Sequence, residues 1–267
     1  MCSRIPDIIY PLLVEYEASI KRSFGTNIFG VYIYNSISLG AFDVNKSDID
    51  FITILNENFT TEELIRLKAI HKQLNNKFKY AKKMEGMYIT KEKIGKTNGD
   101  ISPYLYFAHN KVHNYGYYDI NYVTWWTLQN KGIPINSPDI TVLNIKVNWD
   151  DVIGTMNYNL NTYWKNKLAN KLGFFTADSI EFSILTQCRI LYSLEKKNIT
   201  SKSNSARYAL NTLPDDFKLI VKEALRIREN GTSKSFYSSK IKRAQAVKDF
   251  INYTITYCNH KYKLTTV

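Results

Sequence analysis

Two carboxylates stand where a charge is least welcome. Asp48 and Asp50 flank Ile49 at the head of the apolar run Phe51-Ile52-Thr53-Ile54-Leu55, which reads as a buried strand. Side chains alternate along a strand with period two, so the two acids project from one face. Like charges that close repel unless a cation lies between them. Hard divalent cations such as Mg²⁺ prefer carboxylate oxygen and keep positions open for substrate phosphates. The pair therefore points to a sheet with a charged end and to metal-assisted phosphate chemistry.

The segment upstream supplies the other half of such a site. Asn27-Ile28-Phe29-Gly30-Val31-Tyr32-Ile33-Tyr34 is a second strand by composition, running into Asn35-Ser36, then Leu39-Gly40 and the turn-rich Asp43-Val44-Asn45-Lys46-Ser47. Backbone N–H groups of that turn and the Ser36 hydroxyl suit a polyphosphate, opposite carboxylates that hold its cation. An isolated Asp-x-Asp is weak evidence, because such pairs also cap helices and occupy solvated turns. The combination of strand, turn, glycine and following apolar strand is far more specific.

This arrangement resembles the signature of the polymerase-β-like nucleotidyltransferases, a hydrophobic residue and Gly-Ser followed some ten residues later by two aspartates in an apolar strand. Here it reads Tyr34-Asn35-Ser36, eleven residues, then Asp48-Ile49-Asp50-Phe51. Asn35 stands where the pattern has glycine. Asparagine tolerates positive φ better than other non-glycine residues, so the turn is expected to survive.

A third acid is expected from the same resemblance. Glu85 lies in the strand-like Met84-Glu85-Gly86-Met87-Tyr88-Ile89-Thr90, after a helix whose start carries Thr60 and Glu63 at capping-box spacing. A carboxylate there completes a metal shell or acts as general base on an attacking hydroxyl. The competing reading is a solvated strand-edge glutamate.

The chain has 267 residues, 44% of them apolar, enough for two medium domains with real cores. Residues 1–147 hold the strand-like segments and are expected to form an α+β nucleotidyltransferase domain with a mixed sheet. Residues 148–267 are helically periodic nearly throughout and are expected to form an all-α bundle, with helices near 150–171, 178–196, 203–212, 214–229 and 237–259. Pro214 suits a first helical turn and Gly231 a position just past a helix end. No stretch approaches the roughly 20 apolar residues of a membrane span. With no apolar signal core after Met1, a cytoplasmic protein is expected. Cys2, Cys188 and Cys258 lack metal-ligand spacing, and Cys188, in an apolar helix, is expected to be a buried thiol. His109 and His113, four apart near Tyr104-Leu105-Tyr106-Phe107, would share a helical face, but no third zinc ligand has matching spacing; the alternative is that they line the cleft with Phe107 and Tyr117.

The second half narrows the resemblance. Leu185-Thr186-Gln187-Cys188-Arg189, then Ser201-Lys202 and the Ala206-containing helix, are similar to the helical domain of the streptomycin/spectinomycin adenylyltransferases. Tyr122-Val123-Thr124-Trp125-Trp126-Thr127-Leu128, with Gly132 and Ser137-Pro138 beyond, resembles the helix and turn that join the two domains in that family. The resemblance implies transfer of AMP from ATP to a hydroxyl of an aminoglycoside or aminocyclitol, spectinomycin or streptomycin, giving antibiotic resistance. Asp48 and Asp50 would hold Mg²⁺, Ser36 with Asn35 would meet the terminal phosphates, Glu85 would deprotonate the acceptor, and Lys202 would reach the triphosphate. A monomer with small-molecule partners is expected.

Charge sets a condition on that substrate. Of a net charge of +12, residues 151–267 contribute 19 Lys and Arg against 9 Asp and Glu. A polycationic antibiotic is repelled by such a field at long range, though screening limits it beyond about 8–10 Å. Nearby carboxylates must then hold the antibiotic, and Asp178 and Glu181 are the candidates; helix-end charges are the plainer reading. Basic, aromatic stretches such as Lys234 to Arg243 suit single-stranded nucleic acid, but solvated helix charges explain them equally, and nucleic acid is not the expected partner. The alternatives are a nucleotidyltransferase acting on RNA or protein, and an inactive binding module.

Overall fold

The computed structural model describes residues 4–169, 173–230 and 233–264. The chain divides into two compact units, Met1–Asn148 and Trp149–Val267.

The first unit is built on a six-stranded mixed sheet of order β5-β4-β3-β2-β1-β6. Its strands are β1 (Ile28–Ile33), β2 (Ile49–Leu55), β3 (Met84–Thr90), β4 (Tyr104–Ala108), β5 (Lys111–Gly116) and β6 (Ile133–Ile135). Only β2 and β3 run parallel, and the helix between them makes the crossover that a parallel pair needs. Helices α1 (Tyr10–Phe24) and α3 (Thr61–Lys77) lie against each other. Their apolar residues, among them Leu13, Ile20, Leu67 and Leu74, form one core with Phe51, Tyr88, Leu105 and Phe107 of the sheet. The start of α3 carries the capping box: the Thr60 hydroxyl accepts from the Glu63 amide and the Glu63 carboxylate accepts from the Thr60 amide.

Close packing on that face explains Gly86. A Cβ there would stand 2.3 Å from the Phe51 carbonyl oxygen and 2.5 Å from its ring, so only glycine lets Phe51 pack across the parallel pair. Because Phe51 and Gly86 face the core, their neighbours Asp50 and Glu85 face the other way.

The second unit is all helical: α5 (Trp149–Tyr158), a π-helical stretch (Asn159–Trp164), α6 (Lys165–Leu168), α7 (Ala177–Lys196), α8 (Lys202–Thr212), α9 (Asp215–Asn230) and α10 (Lys240–Tyr262). Helix α7 is its axis and packs on α8, α9 and α10. Accordingly Ile180, Ile184, Leu185 and Cys188 are fully buried. Ser201 caps α8 through the Asn204 amide, and Pro214 stands just before α9. Two differences from the expected boundaries have local causes. The 150–171 helix is interrupted by the π-helical stretch, where Asn161 and Asn259 exchange side-chain amide bonds of 2.9 and 2.8 Å; its end at Lys171 lies outside the described residues. The last helix starts at Lys240, where Ser239 caps the Lys242 amide. Gly231 and Cys2 also lie outside the described residues. No described helix is long and apolar enough to cross a membrane.

Candidate active site

Strand β1 ends at Ile33 and leads into Tyr34, whose amide donates to the Asp50 carbonyl at 3.2 Å, tying the turn to the carboxylate strand. The next residue, Asn35, has φ +53°. It takes the left-handed conformation for which glycine is the usual choice, and a single helical turn, α2 (Asn35–Ser38), follows. The Asn35 side chain hydrogen-bonds to Asp50. Asparagine thus keeps the turn and adds a polar contact that glycine lacks. The Ser36 hydroxyl donates to the Asp48 carbonyl at 3.5 Å. The intervening loop folds on Asp43, which accepts from the Asn45 amide at 2.8 Å through its carboxylate and from the Ser47 amide at 2.8 Å through its carbonyl.

The parallel register sets Asp50 directly beside Glu85. Both are half-buried, while Asp48, one step before β2, is exposed. Glu85 is held from two sides: the Tyr118 hydroxyl donates to Oε2, and the His109 amide donates to Oε1 at 3.4 Å with the His109 ring 3.6 Å away. A further acid, Asp119, joins them, accepting from the Tyr34 hydroxyl at 3.4 Å and from the Asn121 side chain at 3.3 Å.

The electrostatics follow from this crowding. Desolvation pushes the Asp50 carboxyl well above the usual carboxylate range; Asp119, then Asp48, then Glu85 push the same way, and only the Asn35 bond opposes them. Burial, then Asp119 and Asp50, raise the Tyr34 hydroxyl. Burial and the bond to Glu85 raise Tyr118. Both phenols therefore stay protonated as donors.

A cation would relieve this excess of negative charge, and its carboxylate donors suit Mg²⁺. Among the described residues no group of three or more His, Cys, Asp or Glu converges as a metal shell. Asp48 and Asp50 are the carboxylates that would hold such an ion.

Sequence reasoning singled out Asp48, Asp50, Ser36, Asn35 and Glu85, and the first unit brings them to one end of the β1–β2–β3 strands. It missed Tyr118 and Asp119. They follow β5 and are brought in by the Asn121 cap of α4 (Tyr122–Lys131), where the Thr124 hydroxyl also holds the Asp119 carbonyl at 2.6 Å. No local pattern announces that contact.

The remaining expectations fall elsewhere. His109 and His113 share no helix: His109 and Asn110, at φ +51° and +60°, make the two-residue turn of the β4–β5 hairpin. His113 lies in β5, stacked on Tyr106 at 4.5 Å, and Phe107 is core. In the second unit, Asp178 is exposed in the first turn of α7 and Lys202 opens α8 half-buried. Glu181 is buried and paired with Arg228 at 2.8 Å.

Residues 161–256 match the family model for the aminoglycoside adenylyltransferase C-terminal domain. Among solved structures, the chain is similar to the spectinomycin adenyltransferase AAD(9) from Enterococcus faecialis, crystallised with ATP and spectinomycin. The TM-score is 0.65 at 13% identity, covering 91% of this chain and 99% of that one. The two share the nucleotidyltransferase fold, a mixed sheet followed by a helical part. No curated protein matches the sequence.

Proposed function

From the aminoglycoside nucleotidyltransferase family, which the C-terminal domain model and the shared fold support, we propose that this enzyme transfers AMP from ATP to a hydroxyl of spectinomycin or streptomycin. The observation that carries the reading is the Asp50–Glu85 pair, set side by side by the parallel register behind the Asn35 turn.

Glu85 accepts the proton of the acceptor hydroxyl. Tyr118 and the His109 amide each hold one of its carboxylate oxygens, so the base is aimed before substrate arrives. The acceptor oxygen attacks the α-phosphorus in line, the bond from that phosphorus to the β-phosphate bridge oxygen breaks, and pyrophosphate leaves. Mg²⁺ on Asp48 and Asp50 would neutralise the charge that builds on the phosphate oxygens. Asn35 orients Asp50, and Ser36, in the same turn, offers its hydroxyl to the terminal phosphates. Of the two α7 acids, Asp178 is the one open to a cationic antibiotic, because Glu181 already serves Arg228.

The test is incubation with ATP, Mg²⁺ and a panel of aminocyclitols, aminoglycosides and lincosamides, followed by mass spectrometry. The reading predicts one added adenylyl group on spectinomycin or streptomycin. An unmodified panel from a protein that binds ATP would contradict it.

A further inference from the structure

The sheet has a second charged region, on the face opposite the acids. Phe107 pairs in register with Gly86, so it points away from Glu85. There, between α3 and the β4–β5 hairpin, lies a cavity of about 540 Å³. Its rim carries Lys68 and Lys72, one turn apart on α3, together with Lys82 and Lys111. All four lysines are exposed. None makes an ion pair with a described residue, and no described lining residue is acidic. A neighbouring hollow of about 280 Å³ shares Lys68 and Lys111 and adds Tyr106 and Tyr115.

Lys21, Lys77, Lys218 and Lys261 each meet a carboxylate within 2.7 Å, whereas these four gather with none. Like charges one helical turn apart are mildly destabilising by themselves. The floor is rigid: His71 stacks on Phe107 at 3.7 Å and its Nε2 meets the Tyr88 hydroxyl at 2.5 Å. The wall is pinned where Asn75 of α3 donates to Asn110 of the hairpin turn at 2.5 Å. Burial keeps His71 neutral, at about 3, so the positive charge resides on the lysines alone.

We infer that this cavity between α3 and the β4–β5 hairpin binds a small condensed phosphate, a ligand with two or more linked phosphoryl groups, separately from the acidic site. Its size falls within the range of small-molecule pockets. Four compact ammonium groups around a concave wall match several phosphoryl charges better than one. Nucleic acid would need an extended track with stacking platforms; here the Phe107 face is covered by His71 and the Tyr106 ring by His113 and Tyr118.

Isothermal titration with inorganic triphosphate in EDTA tests this, since chelation removes the cation on which the acidic site depends. One site is expected in the parent chain, weakening as salt is added. The combined Lys68→Gln, Lys72→Gln, Lys111→Gln variant should bind triphosphate at least tenfold more weakly, with Mg²⁺-ATP affinity and unfolding temperature kept. Ser36→Ala should leave triphosphate binding in EDTA unchanged. Equal affinity in the lysine variant, or loss in Ser36→Ala instead, would overturn the assignment. So would a single-stranded RNA oligomer that binds through these lysines and is not displaced by triphosphate.

Discussion

Two carboxylates withdrawn from water, one in each unit, are treated in opposite ways. Glu223 of α9 is fully buried and closed in by its own chain. Arg226 meets it at 2.9 Å through two nitrogens, Arg243 at 3.0 Å, the Ser235 hydroxyl at 2.7 Å and the Phe236 amide at 3.1 Å. Burial alone would raise its carboxyl, but these partners outweigh burial and bring it down to about 2. Asp50 meets the reverse: desolvation raises it and three further acids add to the effect. A buried charge that the chain compensates is architecture. One that the chain surrounds with like charge favours whatever neutralises it, a proton or a cation from outside the chain.

The largest effect should come from the base beside Asp50. Glu85→Gln keeps the shape and the Tyr118 contact but cannot take a proton, so adenylyl transfer should fall by about 10² to 10⁴ with Mg²⁺-ATP still bound. Single-turnover kinetics with nucleotide titration checks this; lost nucleotide binding would make Glu85 a metal ligand instead.

The internally compensated acid should respond in stability. Glu223→Gln leaves Arg226 and Arg243 facing a neutral amide in a closed site, at a cost of about 3–5 kcal/mol in urea unfolding. Because the folded-state value is depressed, the contribution is full above the ordinary glutamate value near 4.5 and is lost as pH falls toward about 2. The parent's unfolding temperature should therefore drop over that window more steeply than the variant's.

Asn35 should give the smallest change. Asn35→Gly removes the cost of a left-handed asparagine and also the side-chain bond to Asp50, so stability should shift by less than about 1 kcal/mol. Transfer should persist, with its pH profile displaced upward as Asp50 loses its one stabilising donor. An unchanged profile would remove the positioning role from Asn35.

These contrasts also mark what was legible in advance. Asp48, Asp50 and the Asn35-Ser36 turn lie within one short stretch of chain, where strand and turn patterns are readable without any knowledge of tertiary contacts. The Thr60 capping box was readable for the same reason. Glu85 needed the fold resemblance. Asp119, Tyr118 and the Glu223–Arg243 contact depend on distant segments, which no local pattern specifies. Glu181 misled because an acid in a first helical turn reads as a free charge, while its partner Arg228 comes from α9. His109 and His113 misled because a four-residue spacing fits a helix; the signal against it was Asn110, a residue that favours the positive φ of a tight hairpin turn.

The most direct test of the central contrast is thermal unfolding of the parent and Asp50→Asn, each with EDTA and with Mg²⁺-ATP. If Asp50 is an acid held among like charges for an external cation, the variant should unfold at or above the parent's temperature in EDTA. Mg²⁺-ATP should then raise the parent but not the variant, and transfer should be abolished. A variant that unfolds well below the parent in EDTA would show Asp50 to be compensated within the fold, as Glu223 is, and would contradict the account.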